Sequence, residues 1–102
     1  MGDFVGFEPT VWEDFQAEVR QIAARPLTTQ LAIGLEDGTL LLRDLADGSE
    51  LASLPGNSSR IRALAFDTGG KILASADDDG NVLLWRADAN DKWSCAKTFS
   101  VP

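Results

Sequence analysis

The chain repeats itself with a period of 42 residues. When the sequence is shifted by that distance, residues 19–44 align with residues 61–86, and 8 of the 26 aligned pairs are identical. Asp37-Gly38 falls on Asp79-Gly80 in this alignment, so the same dipeptide recurs at the same place in both copies. A repeat of this length is one supersecondary unit, built from a pair of helices or from four short strands, that buries its apolar surface by stacking on the next copy.

Turn-forming residues decide between helices and strands. Clusters rich in Asp, Asn, Gly and Pro recur about every 10 residues, which leaves no room for helices of ordinary length. The clusters lie at 36–38, 47–48, 55–57, 68–70, 78–80 and 89–91. Asp-Gly between two apolar runs also favours a two-residue hairpin turn of type I′. The sequence therefore predicts an all-β fold with short strands.

Nine strands are predicted from the runs between these turns. They lie near 8–12, 18–24, 30–35, 39–43, 50–54, 60–66, 71–76, 81–86 and 92–99. Residues 16–25 could also form a short amphipathic helix, but their alignment with 61–66 favours a strand. We therefore expect an N-terminal outer strand and lead-in over 1–17, a first four-stranded unit over 18–59 and a second over 60–102.

Residues 54–86, LPGNSSRIRALAFDTGGKILASADDDGNVLLWR, resemble the WD-repeat family. Gly56 matches the first residue of the Gly-His pair that opens a WD repeat, and Asn57 stands in place of the His. The run LASADDDGNVLLWR matches the family's second and third strands, with Arg86 in place of the final Asp. The resemblance is strong in the second repeat and weaker in the first. It implies two four-stranded antiparallel blades of a larger or oligomeric β-propeller.

The resemblance also implies a hydrogen-bond network that stabilises each blade. In the family this network joins the His, a Ser or Thr, the Trp and an Asp of the turn. The matching residues here are Asn57, Ser75, Asp79 and Trp85, with Asp37 at the corresponding turn of the first repeat. Because Phe15, Ile33 and Arg43 occupy the other positions of that repeat, we expect a degenerate first blade held together mainly by apolar packing.

Composition argues against several functions. The net charge is −7, and the 9 basic residues are scattered among 16 acidic ones, so neither nucleic acid nor an anionic membrane is an expected partner. Without any histidine, and with the single cysteine Cys95, the chain lacks the residues for a catalytic triad or a zinc site. Asp77-Asp78-Asp79-Gly80 lacks the alternating ligands of a calcium loop. We expect no enzymatic activity, no cofactor, no metal and, from the lone thiol, a cytoplasmic location.

The function that the resemblance implies is a protein-interaction scaffold. In WD-repeat propellers, the loops along one rim commonly contact a protein or peptide. The positions that correspond to that rim are Gln16, Glu18, Glu36, Ser58, Arg60 and Asp78. Their charges favour a basic or mixed partner. Because two blades cannot close a ring, we also expect self-assembly into a homo-oligomer, or a chain that is a fragment of a larger propeller.

Two alternatives remain open from the sequence. The chain could belong to a propeller that binds a small ligand, such as a sugar or an ion, or it could be a regulatory or sensory part of a multidomain protein. Trp12 and Trp93 are a second candidate for a contact surface, on the outer edge, because aromatic side chains are enriched at interfaces.

Overall fold

The computed structural model describes residues 15–100. Eight strands are present in this part of the chain, and their ends differ from the predicted ones by at most one residue. They are β1 (Val19–Ala24), β2 (Gln30–Leu35), β3 (Leu40–Asp44), β4 (Glu50–Leu54), β5 (Ile61–Phe66), β6 (Ile72–Asp77), β7 (Asn81–Ala87) and β8 (Trp93–Ser100). The all-β prediction is confirmed, and the helical alternative for 16–25 is wrong. The strand predicted at 8–12 lies outside the described residues.

The strands form two antiparallel sheets of four. The first has the order β1-β2-β3-β4 and the second β5-β6-β7-β8, so each strand pairs with its neighbours in sequence. We call them blade one and blade two. Residues 55–60 connect the blades, and β1 of blade one lies against β5 of blade two. Each 42-residue repeat of the sequence therefore corresponds to one blade.

The Asp-Gly hairpins differ from the predicted type. Gly38 and Gly80 have φ of 92° and 87°, but Asp37 and Asp79 are not among the residues with positive φ, as a type I′ turn would require. Instead, the N–H of Gly38 donates to the carbonyl of Leu35 at 3.0 Å, and the N–H of Gly80 donates to that of Asp77 at 3.2 Å. These are three-residue loops in which the glycine takes the left-handed conformation.

The main core lies between the two blades. Leu40 and Leu42 of blade one pack with Leu73 and Trp85 of blade two, and all four are less than 4% exposed. Because successive side chains of a strand point to opposite faces, Leu41 turns the other way and packs in a second cluster on the far face of blade one. The central strands of blade one are thus buried on both faces, which explains the continuous run Leu40-Leu41-Leu42.

A glycine allows the blades to approach closely. A β-carbon on Gly34 would lie 2.6 Å from Cγ2 of Ile61, whose side chain is 1% exposed. Nearby, the N–H of Asn57 donates to the carbonyl of Gly38 at 2.9 Å, which fastens the connecting segment to the β2–β3 turn. These contacts fix the relative position of the two blades at the end of the sheets where the candidate rim lies.

Candidate functional site

A buried hydrogen-bond network supports the rim of blade two. The Trp85 Nε1–H donates to Ser75 Oγ at 3.0 Å, and the Ser75 hydroxyl donates to Asn57 Oδ1 at 2.7 Å. The Asn57 amide group then donates to Asp77 Oδ2 at 3.1 Å. All four side chains are at most 6% exposed. The network thus ties the connecting segment to β6 and β7 and, through Asp77, holds the loop between these two strands.

The carboxylate of this network belongs to Asp77, and the prediction of Asp79 is wrong. Asp77 accepts hydrogen bonds from the backbone N–H groups of Asp79 at 2.9 Å and Asn81 at 3.0 Å, while the Asp79 side chain is exposed. The reason is strand geometry. Asp77 is two residues after Ser75 on β6, so both side chains point to the same face, whereas Asp79 lies at the tip of the loop.

The pKa of Asp77 reflects these contacts. Burial acts to raise it, but hydrogen bonds from the Asn81 N–H, the Asn57 amide and the Asp79 N–H outweigh burial and hold the pKa below the ordinary value of 3.8. The carboxylate is therefore ionised at neutral pH. Its oxygens accept from the protein's own donors, which leaves them poorly placed for a metal ion.

Blade one has an apolar cluster where blade two has the network. Asp37 is exposed, and within residues 15–100 its side chain accepts from its own turn, with the Thr39 N–H at 3.0 Å, so its assignment to a network is also wrong. Leu35 and Ile33 occupy the positions equivalent to Asp77 and Ser75, and both are 2% exposed. Phe15 packs against this cluster. The expected apolar character of the first blade is thus found in its structure.

An arginine completes that cluster at its outer side. The Arg43 guanidinium carbon lies 4.6 Å from the centre of the Phe15 ring, in the geometry of a cation–π contact. Arg43 is equivalent to Trp85 in the repeat, and its side chain is 6% exposed. At the 42-residue period Phe15 is equivalent to Asn57, so blade one has its aromatic residue before the first strand and its polar residue on the third strand, whereas blade two has the reverse.

The predicted rim residues lie at one end of the two blades. The Glu36 N–H donates to the Glu18 carbonyl at 2.7 Å, and the Asp78 N–H donates to the Arg60 carbonyl at 3.1 Å, so equivalent pairs meet in both blades. In blade two the Arg60 Nε–H also donates to Asp78 Oδ2 at 2.6 Å. Gln16 and Ser58 are exposed and lie two residues before Glu18 and Arg60. Within residues 15–100, no hydrogen bond or ion pair joins either of them to these pairs.

Two further arginines belong to the same surface and were missed by the sequence analysis. Arg20 pairs with Glu18 at 3.2 Å and with Glu36 at 3.4 Å, and Arg62 lies 3.8 Å from Asp78. Their signal was present, because Arg20 and Arg62 are identical at the repeat period. The set Glu18, Arg20, Glu36, Arg60, Arg62 and Asp78 is called the rim below. It carries three cations and three anions, so its charge is mixed rather than acidic.

A second arginine cluster lies at the opposite end and clamps the blades together. Arg25, 3% exposed, follows β1 and donates through Nε to the Gly70 carbonyl at 2.6 Å and through Nη2 to Asp91 Oδ1 at 3.1 Å. Its guanidinium carbon also lies 4.9 Å from the centre of the half-buried Trp93 ring. The hydrogen bond from Arg25 is the main cause that lowers the pKa of Asp91. Trp93 thus packs at the blade interface; Trp12 is outside the described residues.

The three consecutive aspartates do not converge on a common point. Asp77 faces the buried network, Asp78 pairs with Arg60, and Asp79 is exposed. Across residues 15–100 there is no group of three or more His, Cys, Asp or Glu that could hold a metal ion. Nor does any helix in that range have the length and apolar character to cross a membrane.

Comparison with known proteins identifies the repeat. Residues 48–86 match the family model "WD domain, G-beta repeat". This segment runs from the turn before β4 through most of β7. The unit that the family model matches is therefore offset from the blades: it contains β4 of blade one and β5, β6 and β7 of blade two, and so joins two neighbouring blades.

Similar proteins are several times longer than this chain. Nuclear distribution protein nudF 1 of Talaromyces marneffei is 39% identical over 69 residues, which cover 68% of this chain and 14% of that protein. The serine-threonine kinase receptor-associated protein of Rattus norvegicus is 29% identical over 94 residues, covering 89% of this chain and 27% of the relative. The chain thus spans between about a seventh and a quarter of these relatives.

The fold is shared with solved structures. The crystal structure of Saccharomyces cerevisiae Sqt1 superimposes with a TM-score of 0.81 over 89% of this chain and 25% of that one, at 19% sequence identity. The crystal structure of the RRP9 WD40 repeats gives a TM-score of 0.74 over 87% of this chain, at 22% identity. At sequence identities of 19% and 22%, this structural similarity establishes the fold alone. Residues 48–86 are a WD repeat, and the chain has the fold of two neighbouring blades of a WD-repeat β-propeller.

Proposed function

We propose that the chain is a non-catalytic interaction module whose rim binds a protein or peptide partner. The observation that carries this proposal is that the rim draws its charged side chains from both blades and holds them on a rigid support. Arg20, Glu18 and Glu36 come from blade one, and Arg60, Arg62 and Asp78 from blade two. Binding residues concentrate on loops that a rigid scaffold positions.

The partner is expected to carry mixed charge, with basic groups opposite the three rim carboxylates. We expect association to slow as salt rises, because charge pairs at a rim steer the encounter of two proteins. The test is a pull-down with the triple variant Glu18→Lys, Glu36→Lys and Asp78→Lys beside the unchanged chain. Loss of the captured partner at physiological salt, with the circular dichroism spectrum unchanged, would support the proposal.

A matched control changes three exposed carboxylates away from the rim. Asp47→Lys, Glu50→Lys and Asp88→Lys alter the net charge by the same amount but lie at the opposite end of the blades or on the outer strand. The control triple should keep the partner. If the rim triple also keeps it, the binding surface lies elsewhere on the chain.

We further infer that another blade packs on the open face of blade two. Ala32, Leu40 and Leu42 of blade one face blade two and are at most 1% exposed. Their repeat equivalents Ala74, Val82 and Leu84 face away from blade one and remain partly exposed. This face of blade two should therefore also pack against a blade, which comes either from a second copy of this chain or from further blades of a longer protein.

Molar mass in solution tests this inference. Self-association to a ring of about 6 or 8 blades would agree with the usual size of closed propellers. A folded monomer at tens of micromolar, with Leu84 accessible, would contradict self-assembly. Replacement of Leu84 by Lys should weaken association, whereas replacement of the exposed Leu45, in the β3–β4 turn, should leave it unchanged.

A cytoplasmic location is part of the same proposal. Cys95 is exposed and forms no disulfide within the chain, which suits a reducing compartment. Localisation of a fluorescently tagged full-length protein by microscopy, with and without the rim triple, would test both the compartment and its dependence on the partner.

A further inference from the structure

The same backbone irregularity places Arg20 and Arg62 on the rim. In blade one Val19 pairs with Leu35 and Gln21 with Gly34, so Arg20 is an extra residue between two successive pairs. In blade two Ile61 pairs with Asp77 and Ala63 with Ala76, and Arg62 is the extra residue. Such a β-bulge redirects a side chain at the edge of a sheet. Both first strands thus aim an arginine at the junction of the blades.

These side chains line a cleft of about 550 Å³. Its lining residues are Arg20, Gln21, Arg60, Ile61, Arg62 and Asp78. Three of the chain's nine basic residues therefore lie around one opening in a protein of net charge −7. The lining itself holds three arginines and the one carboxylate of Asp78, while Glu18 and Glu36, which pair with Arg20, lie just outside it.

Arg62 is the cation that is least engaged within the rim. Its Nε lies 3.8 Å from Asp78 Oδ1, which is too far for a hydrogen bond, and its side chain is 68% exposed. The other oxygen of Asp78 already accepts from Arg60. The planar guanidinium of Arg62 can therefore form two parallel hydrogen bonds with an incoming oxyanion, and Arg20 lies across the same cleft.

We propose that this cleft binds an acidic side chain from a peptide segment of the partner, with Arg62 as the principal contact and Arg20 as the second. The inference rests on the proposed function and adds the chemistry that the partner must supply. The described lining contains no aromatic side chain on which a nucleic-acid base could stack. Glu18, Glu36 and Asp78 border the arginines and disfavour a polyanion, so an isolated acidic residue with basic neighbours fits best.

The test is a titration of the purified chain with defined probes, followed by nuclear magnetic resonance of the arginine Nε–H groups. The probes are acetyl-Lys-Glu-Lys-amide, the matched acetyl-Lys-Gln-Lys-amide and inorganic phosphate. The Glu peptide should shift the signals of Arg62 and Arg20, and the Gln peptide should bind about two- to fivefold more weakly, the range expected for an exposed charge pair. Equal binding of the two peptides would overturn the proposal. Binding of phosphate without the Glu peptide would also overturn it, since the cleft would then take a free anion.

Two variants locate the effect. Arg62→Gln should reduce the affinity for the Glu peptide about two- to fivefold. Arg86→Gln, which removes an exposed arginine on β7 outside the cleft, should leave it unchanged. If both variants bind like the unchanged chain, Arg62 is not the contact and the proposal fails. The titration needs no natural partner, so the cleft can bind the Glu peptide even if the pull-down shows that the partner uses another surface. Conversely, the pull-down can show that the partner uses the rim even if the cleft does not bind the Glu peptide.

Discussion

Replacement of Asp77 by Ala should destabilise the chain more than any other single change at the three consecutive aspartates. The carboxylate accepts from the N–H groups of Asp79 and Asn81 and from the Asn57 amide, at 2.9 to 3.1 Å. Hydrogen bonds to a charged group contribute roughly 1.5–3 kcal/mol each, but water can reach part of this turn and replace some of them. We therefore expect the free energy of unfolding to fall by about 2–4 kcal/mol.

The measurement is urea unfolding at pH 7, monitored by circular dichroism and by tryptophan fluorescence, since Trp85 belongs to the same network. Asp79→Ala is the matched control, because it removes an exposed carboxylate two residues away and should change the free energy of unfolding by less than about 0.5 kcal/mol. Equal losses for the two variants, or a greater loss for Asp79, would show that the assignment of the network carboxylate is wrong.

The same carboxylate should make stability depend on pH. Because the folded-state pKa of Asp77 lies below the ordinary value of 3.8, ionised Asp77 stabilises the fold fully above that value. The contribution is lost as the pH falls through the folded-state pKa. The difference in stability between the unchanged chain and Asp77→Asn should therefore be constant from about pH 7 to pH 5 and shrink toward pH 3. A difference that grows on acidification would refute this argument.

Three further changes probe the same architecture. Asn57→Asp should cost about 3 kcal/mol at pH 7, because it sets a second carboxylate against Asp77 in place of a donor, and part of the loss should be recovered at acidic pH in urea unfolding. Gly34→Ala should cost about 1–3 kcal/mol, since its β-carbon would lie 2.6 Å from Ile61, and a normal melting temperature would argue against the close approach of the blades. Arg25→Lys should lower the free energy of unfolding by about 2–4 kcal/mol, because lysine cannot reproduce both the buried hydrogen bond to the Gly70 carbonyl and the paired contact with Asp91. A melting temperature and a cooperativity of thermal unfolding equal to those of the unchanged chain would contradict the role of Arg25 as a clamp.

The strands could be predicted because their signals are local. Apolar runs that end at turn residues about every 10 positions specify where each strand begins and ends, and the 42-residue repeat supports the first three strands of each unit independently. The turn type was predicted incorrectly because Asp-Gly suits both a two-residue and a three-residue loop. The alternatives differ by the conformation of one aspartate, which the sequence does not specify.

The choice of network carboxylate was ambiguous for a related reason. Asp77, Asp78 and Asp79 are consecutive, so the residue type alone cannot distinguish them. Side chains alternate between the two faces of a strand, so residues two apart share a face. Counting from Ser75 along β6 would therefore have selected Asp77. The clamp of Arg25 had no such signal. Its partners Gly70 and Asp91 lie 45 and 66 residues away, and its repeat equivalent is Asp67, so neither local pattern nor the repeat indicates the contact.

The two blades reach similar geometry by different chemistry, and their surroundings explain the difference. The polar network of blade two faces blade one, where Asn57 is delivered by the connecting segment and every donor finds an acceptor. The equivalent face of blade one is closed by Phe15, and an apolar cluster there requires no exact alignment of donors and acceptors. A polar network fixes one arrangement of its loops, because a shifted register would leave buried groups unpaired. We therefore expect the loop that carries Asp78 to be more rigid than the loop that carries Glu36. An acidic side chain in the cleft should then find its most rigidly positioned contacts among the residues of blade two.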